Sequence, residues 1–147
     1  MRARLVIACL ATIAVADYVI LRRPPRWHAI ALFDHPAHVA TAALIGGTDP
    51  LYLAGSLLPD VDHIPQALGN PEVGDARPKT HSLLVVAAAA LVSRRLAAGA
   101  AAHFLRDVAM EPGAPLLWPL TSRRFRLPYA AYAVLILASA YSRSRPY

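Results

Sequence analysis

Two apolar runs hemmed in by arginine constrain this chain more than any other feature. The first, Leu5 to Leu21, is interrupted only by Thr12 and Asp17; Arg2 and Arg4 precede it, and Arg22, Arg23 and Pro24 follow. It reads as a membrane helix. A cleaved signal peptide shares the basic start and apolar middle, but Asp17 and Tyr18 stand where a small-residue cleavage site would follow. The second run, Leu127 to Ala140, lies between Arg123, Arg124 and Arg126 on one side and Arg143 and Arg145 on the other. At ~1.5 Å per residue each run covers about 20 to 25 Å, somewhat less than a ~30 Å hydrocarbon core. Both are marginal spans, and the arginines on their two sides are too balanced to set an orientation.

Composition agrees with a surface that meets more than water. Hydrophobic residues make up 56% and charged ones 16%, against roughly 45–50% and about 25% in an ordinary soluble domain. The 147 residues suit a single domain, 1–147, since half that length is near the limit for an independent core. Cys9 is the only cysteine, which excludes an internal disulfide and any thiolate zinc site. The net charge of +6 comes from arginines set in pairs beside apolar segments. That placement suits interface anchors or hairpin tips rather than a nucleic-acid face, so no nucleic-acid partner is expected.

Between the terminal runs the sequence predicts two helical hairpins. Asp34 is expected to cap a helix from Pro36 to Ile45. Gly46-Gly47-Thr48 breaks it, and Asp49-Pro50 starts a return helix ending near Leu58, where Pro59 stops the chain. Residues Gln66 to Lys79 read as a loop. Thr80 is expected to cap a helix from Ser82 to about Ser93, with a second helix from Leu96 to Met110 ending before Glu111-Pro112-Gly113. No strand alternation occurs. The fold class is therefore all-α, a helical bundle of two central hairpins with terminal membrane-associated helices.

The polar residues gather at segment ends: Asp34, His35 and His38; Asp60, Asp62 and His63; His81; and His103 with Asp107. An ionised carboxylate in an apolar context is costly unless paired or coordinated. Taken singly, each group has an ordinary reading: a capping or salt-bridge pair, a polar turn, a helix start. Their convergence is less ordinary. One straight helix from Ser82 to Met110 would hold His81 and His103 about 33 Å apart at ~1.5 Å per residue. A turn at Arg94-Arg95 instead brings Asp107 back to the level of His81, and the first hairpin returns Asp60 to the level of His38. Both hairpins thus deliver His38, Asp60, Asp62, His81, His103 and Asp107 to one end of the bundle. Three imidazoles and three carboxylates suit a divalent metal, zinc first, with manganese or iron as alternatives, and are too many for one tetrahedral ion. Two ions are expected. His63, directly after Asp62, is expected to orient the ligands or to bind weakly. Arg77 or Lys79 is placed to hold an anionic substrate group.

These residues resemble the bacterial inner-membrane metal-dependent hydrolases of the YdjM type. The matching pieces are His38 with Gly46, PDVDH at Pro59 to His63, RPKTHS at Arg77 to Ser82, AHFLRD with His103 and Asp107, and WPL at Trp118 to Leu120. The resemblance spans about residues 34 to 120. It departs at Ala102, where the family usually has serine, and at Arg106, where it has a small or apolar residue. It implies an integral protein of the bacterial inner membrane, with the six residues above as metal ligands.

Two functions are compatible with this pattern. In the first, a metal-activated water attacks a phosphoester or another lipid-linked substrate, Asp62 accepts its proton and Arg77 binds the anionic group; membrane lipid and a small-molecule or lipid substrate are the expected partners. In the second, the same side chains hold a structural ion in a non-catalytic membrane protein. A soluble helical regulator is disfavoured by the mean hydropathy of +0.40 and by the terminal runs.

Overall fold

The computed structural model describes residues 1, 3–23, 27–64 and 80–145, apart from the side chains of residues 27–29 and 62. Its first helix, α1 (Ala3–Arg22), is uninterrupted by proline or glycine. Helix α2 (Trp27–Gly46) ends where Gly47 takes a φ of 99°, a left-handed conformation that glycine adopts without a Cβ clash. Asp49 then caps the short α3 (Pro50–Gly55), its carboxylate accepting from the Leu51 and Tyr52 amides at 3.1 Å. A 3-10 turn, Leu58–His63, follows.

After His81, α4 (Leu83–Val92) and α5 (Arg94–Asp107) form a hairpin whose corner is Ser93; its hydroxyl accepts from the Arg95 amide. Arg95 donates to Asp49 at 2.8 Å, so the tips of the two hairpins meet. An irregular stretch leads to α6 (Tyr129–Ser144). Within it Ala114 and Phe125 exchange backbone hydrogen bonds, an isolated bridge rather than a strand. Among the described residues the fold is thus an all-α bundle without strands.

The larger of two core clusters joins α1, α2 and α6. Val6, Cys9 and Ile13 of α1, Ala40, Ala43 and Leu44 of α2, and Tyr132, Ile136 and Ala140 of α6 pack together. Arg143 of α6 donates to the carbonyls of Leu44 and Ile45, which satisfies acceptors left over at the end of α2. Helix α5 packs on α2, α3 and α4. Its contact with α3 is unusually close: a Cβ on Gly99 would lie 1.9 Å from the Tyr52 carbonyl oxygen, and one on Gly55 would lie 2.1 Å from the Leu96 carbonyl oxygen. Two glycines let the backbones touch.

Several local expectations are corrected. Asp34 is not a helix cap. It lies inside α2, which begins at Trp27 and carries Pro36 in its interior, because Asp34 has buried partners on a neighbouring helix (Arg106, described below) that a cap position would forfeit. The return helix stops at Gly55, and Asp60 sits in the 3-10 turn instead. Ser82, not Thr80, is the cap residue of α4, and the Leu83 amide is satisfied by the Leu116 carbonyl at 2.8 Å. Helix α5 starts two residues earlier than expected and ends at Asp107 rather than Met110. The expected turn at Ser93 to Arg95 is present. The loop expected at Gln66 to Lys79 lies outside the described residues.

Overpacking a closed backbone contact costs about 1–3 kcal/mol. Gly99→Ala should therefore lower stability by about that amount, read as a reduced thermal midpoint by circular dichroism in detergent. An unchanged midpoint would mean that α3 and α5 do not cross at this pair.

Candidate metal centre

Four segments supply the polar cluster, each for a local reason. On α5, His103 and Asp107 are one turn apart and face the same way, with His103 Nε2 3.0 Å from Asp107 Oδ2. On α2, Asp34 and His38 repeat that spacing, with Asp34 Oδ2 3.5 Å from His38 Nε2. The 3-10 turn has about three residues per turn, which aligns Asp60 with His63; the two approach to 3.8 Å. His81 precedes α4 and reaches Asp60 Oδ1 at 3.2 Å and Asp107 Oδ2 at 3.7 Å.

The centre is held together across segments. His38 Nε2 lies 3.6 Å from Asp107 Oδ1, and His103 Nε2 lies 3.6 Å from Asp60 Oδ1. His38 and His103 stack with ring centroids 3.7 Å apart. His35 adds its Nε2 at 3.3 Å from Asp60 Oδ2. In all five histidines it is Nε2 that faces the carboxylates. For His103 the reason is visible: its Nδ1–H donates to the Ser56 carbonyl at 2.8 Å, and Ser56 directly follows the Gly55 contact with α5. That bond keeps a hydrogen on Nδ1 and turns Nε2 to the cluster, where its lone pair becomes available once the second ring proton has left.

His81 and Asp60 are hydrogen-bonded at 3.2 Å, but the separations of 3.5–3.8 Å are long for hydrogen bonds and match ligand atoms around a shared ion. Atoms each about 2.0–2.1 Å from a tetrahedral zinc lie ~3.3 Å from one another, within the observed spread of 3.0–3.8 Å. His103 Nε2 and Asp60 Oδ2 are buried and make no aligned hydrogen bond, despite their close neighbours. Three overlapping groups, His38–Asp60–His103, Asp60–His63–His81 and His81–His103–Asp107, each bring three donor atoms within 4.8 Å. The donors are nitrogen and oxygen only, appropriate to zinc, manganese or iron. The residues present therefore fit a divalent metal.

Electrostatics keep the cluster ionised. Burial opposes the charge on Asp60, yet the hydrogen bond from His81 and the nearby His103 and His38 hold its carboxyl below the ordinary value. Asp34 is likewise resisted by burial and driven far down by His38 and Arg106. Burial lowers His38, and the facing His103 lowers it further. His103 goes the other way: burial disfavours its proton, but Asp107, then Asp60 and the Ser56 carbonyl, push it up to about 9. The two stacked imidazoles are thus driven in opposite directions, because two positive charges at that separation would repel.

Of the residues singled out from sequence, His38, Asp60, His81, His103 and Asp107 come together. Asp62 is on the backbone of the 3-10 turn, and its side chain, like the whole of Arg77 and Lys79, lies outside the described residues. His63, expected to orient the ligands or to bind weakly, lies beside Asp60 and could offer a donor atom to one of the groups. The sequence reading makes Asp34 a helix cap and His35 part of a polar segment end, and names neither as a ligand. Their signal was present in the four-residue Asp34–His38 spacing, the mirror of His103–Asp107.

A family model described as YdjM inner membrane protein matches residues 5–144. No curated protein and no solved structure matches the chain.

A metal must displace the proton that His103 holds up to about pH 9. Zinc affinity should therefore rise as pH increases from 6.5 towards 9, with proton release measurable by calorimetry in buffers of different ionisation enthalpy. Binding without proton release near pH 7.5 would remove His103 from the ligands. His81 is buried while His63 is 17% exposed, so His81→Ala should cost much more bound metal than His63→Ala; equal losses would refute that ranking.

Proposed function

The chain belongs to the YdjM inner membrane protein family, and on that premise we propose that it is a membrane-bound metal-dependent hydrolase acting on a phosphoester, with a lipid-linked substrate favoured. One observation carries the reading: the imidazoles of His38, His63, His81 and His103 and the carboxylates of Asp60 and Asp107 converge in groups at ligand spacing, and His103 Nε2 and Asp60 Oδ2 among them are buried and unaligned for hydrogen bonding. Two ions are the expected complement, zinc foremost, because the three donor groups share members yet exceed one tetrahedral shell.

When bound, such ions lower the pKa of a coordinated water and polarise the phosphoryl oxygen. The chain's own residues do the rest. His38, His81, His103 and Asp107 are buried and exclude bulk water, which strengthens every charge interaction inside. Asp60, His81 and His103 each belong to two of the donor groups, so each would help to hold more than one ion. His63, partly exposed, and His35, 40% exposed, form the solvent-facing edge where a substrate would enter. Asp62 is assigned as proton acceptor and Arg77 as the group that grips the substrate's anionic oxygens.

Support for a membrane substrate comes from α1, the one described helix long and apolar enough to cross a bilayer. Leu5, Ile7, Val15, Tyr18 and Leu21 are exposed on it, as are Val134, Leu135, Leu137 and Tyr141 on α6. Asp17, five residues before the end of α1, is ~8 Å along the axis from that end, and it is joined to the cluster's helix by Arg106. A site at that level would face lipid head groups.

The depth of the cluster also favours a second reading, a structural ion in a non-catalytic membrane protein. Elemental analysis of detergent-purified protein separates the two. Near two transition-metal ions per chain, with phosphoester turnover lost on chelation and restored by zinc, supports the hydrolase; full metal content without turnover of phospholipid or isoprenoid phosphates supports the structural ion. Asp107→Asn keeps size but removes a charge. It should insert normally, lose bound metal and reduce turnover by orders of magnitude, whereas retained stoichiometry would take Asp107 out of the site.

A further inference from the structure

One buried cation lies beside the cluster and has no place in the chemistry above. Arg106 has no exposed side-chain surface. Its Nη1 donates to Asp17 Oδ1 of α1 at 2.5 Å, and its Nε donates to Asp34 Oδ1 of α2 at 3.0 Å. Tyr129 of α6 donates to the other oxygen of Asp17 at 2.6 Å. Asp34 is therefore divided: Oδ1 is taken by the guanidinium, and Oδ2 is turned to His38 Nε2 at 3.5 Å.

We propose that Arg106 is a positioning residue that makes the metal centre depend on the docking of α1, by holding the Asp34 carboxylate against the ligand atom of His38. The inference rests on the metal reading given above. Three features support it. Arg106 and Asp107 are neighbours at the end of α5, so one turn of helix presents a cation to α1 and α2 and a carboxylate to the centre. The guanidinium contacts two carboxylates on different helices through different nitrogens, a fork that a lysine point charge does not reproduce. Asp17 is buried in an otherwise apolar helix, where an unpaired charge would be expelled, so α1 docks in this register only with Arg106 in place. By linkage, whatever α1 contributes to the metal site, the metal returns to α1.

Cobalt(II) titration of the detergent-solubilised full-length protein tests this through affinity and through the visible ligand-field spectrum. Asp17→Asn and Arg106→Lys should each weaken cobalt binding by roughly 10- to 100-fold, the range found when groups supporting metal ligands are removed, and should change the spectrum, with Asp17→Asn acting although Asp17 contacts no ligand. Arg95→Gln, which breaks an exposed pair on the same helix, should leave affinity within about twofold. Wild-type affinity and spectrum in a folded Asp17→Asn protein would overturn the proposal.

If that variant does not fold, amide hydrogen exchange of the wild type decides. Zinc must slow exchange in α1 as well as in α2 and α5, and protection confined to α2 and α5 would refute the coupling. A wild type that binds no cobalt would defeat the metal reading itself. The positioning role then stands or falls on the 15N shifts of the His38 ring, which must differ between wild type and Arg106→Lys and would coincide if Arg106 does not set Asp34.

Discussion

A guanidinium with no access to water is tolerable only between anions, and much of this structure is arranged around that requirement. Removing a charge from water costs several kcal/mol even after relaxation. Arg106 recovers it from Asp17 and Asp34, on two different helices. The three helices that meet at this ion pair, α1, α2 and α5, are thereby fixed in rotation and register, since a shift of one residue in any of them would strand a buried charge. Apolar packing alone would specify this less sharply, because the contact faces are rich in alanine, as at Ala40 and Ala43 of α2 and Ala97 and Ala100 of α5. Such faces slide past one another at little cost.

The same smallness lets the polar centre form. Gly55 and Gly99 bring α3 and α5 into backbone contact, which places the Ser56 carbonyl against His103 Nδ1. A tautomer is chosen by a helix crossing. Burial then raises the stakes for each titratable group. The carboxyls of Asp34 and Asp60 are held below their ordinary range by the cations and imidazoles around them, and the stacked His38 and His103 are driven in opposite directions. A concentration of unlike charges with their lone pairs turned inward is poor design for a purely apolar core and good design for holding a cation.

The helical hairpins and the donor types were legible in the residues themselves. Asp49-Pro50 starts a helix through local hydrogen bonds, so chain order suffices to find it, and the out-and-back lengths return Asp60 to the level of His38 and Asp107 to that of His81 from the rise per residue alone. The misplaced cap has a clear cause. Asp34 and Pro36 look like a helix start, but inside α2 the carboxylate reaches Arg106 and His38, contacts that local propensity does not register. His63 comes beside Asp60 through the 3-10 winding of Leu58–His63, a proximity that its place directly after Asp62 does not reveal.

By itself, then, the sequence determined that the chain is helical, that its termini are apolar, and that any ion it holds meets nitrogen and oxygen rather than sulfur. Periodicity, turn chemistry and residue type decide these within a few residues. Only the tertiary structure decided that Asp17, an interruption in an apolar run, pairs with Arg106 from a helix 89 positions away, and that Asp34 stands between that pair and His38. Such partnerships depend on how helices cross and rotate, and they are fixed by buried charges finding each other at distances of about 3 Å, a condition that no local pattern encodes.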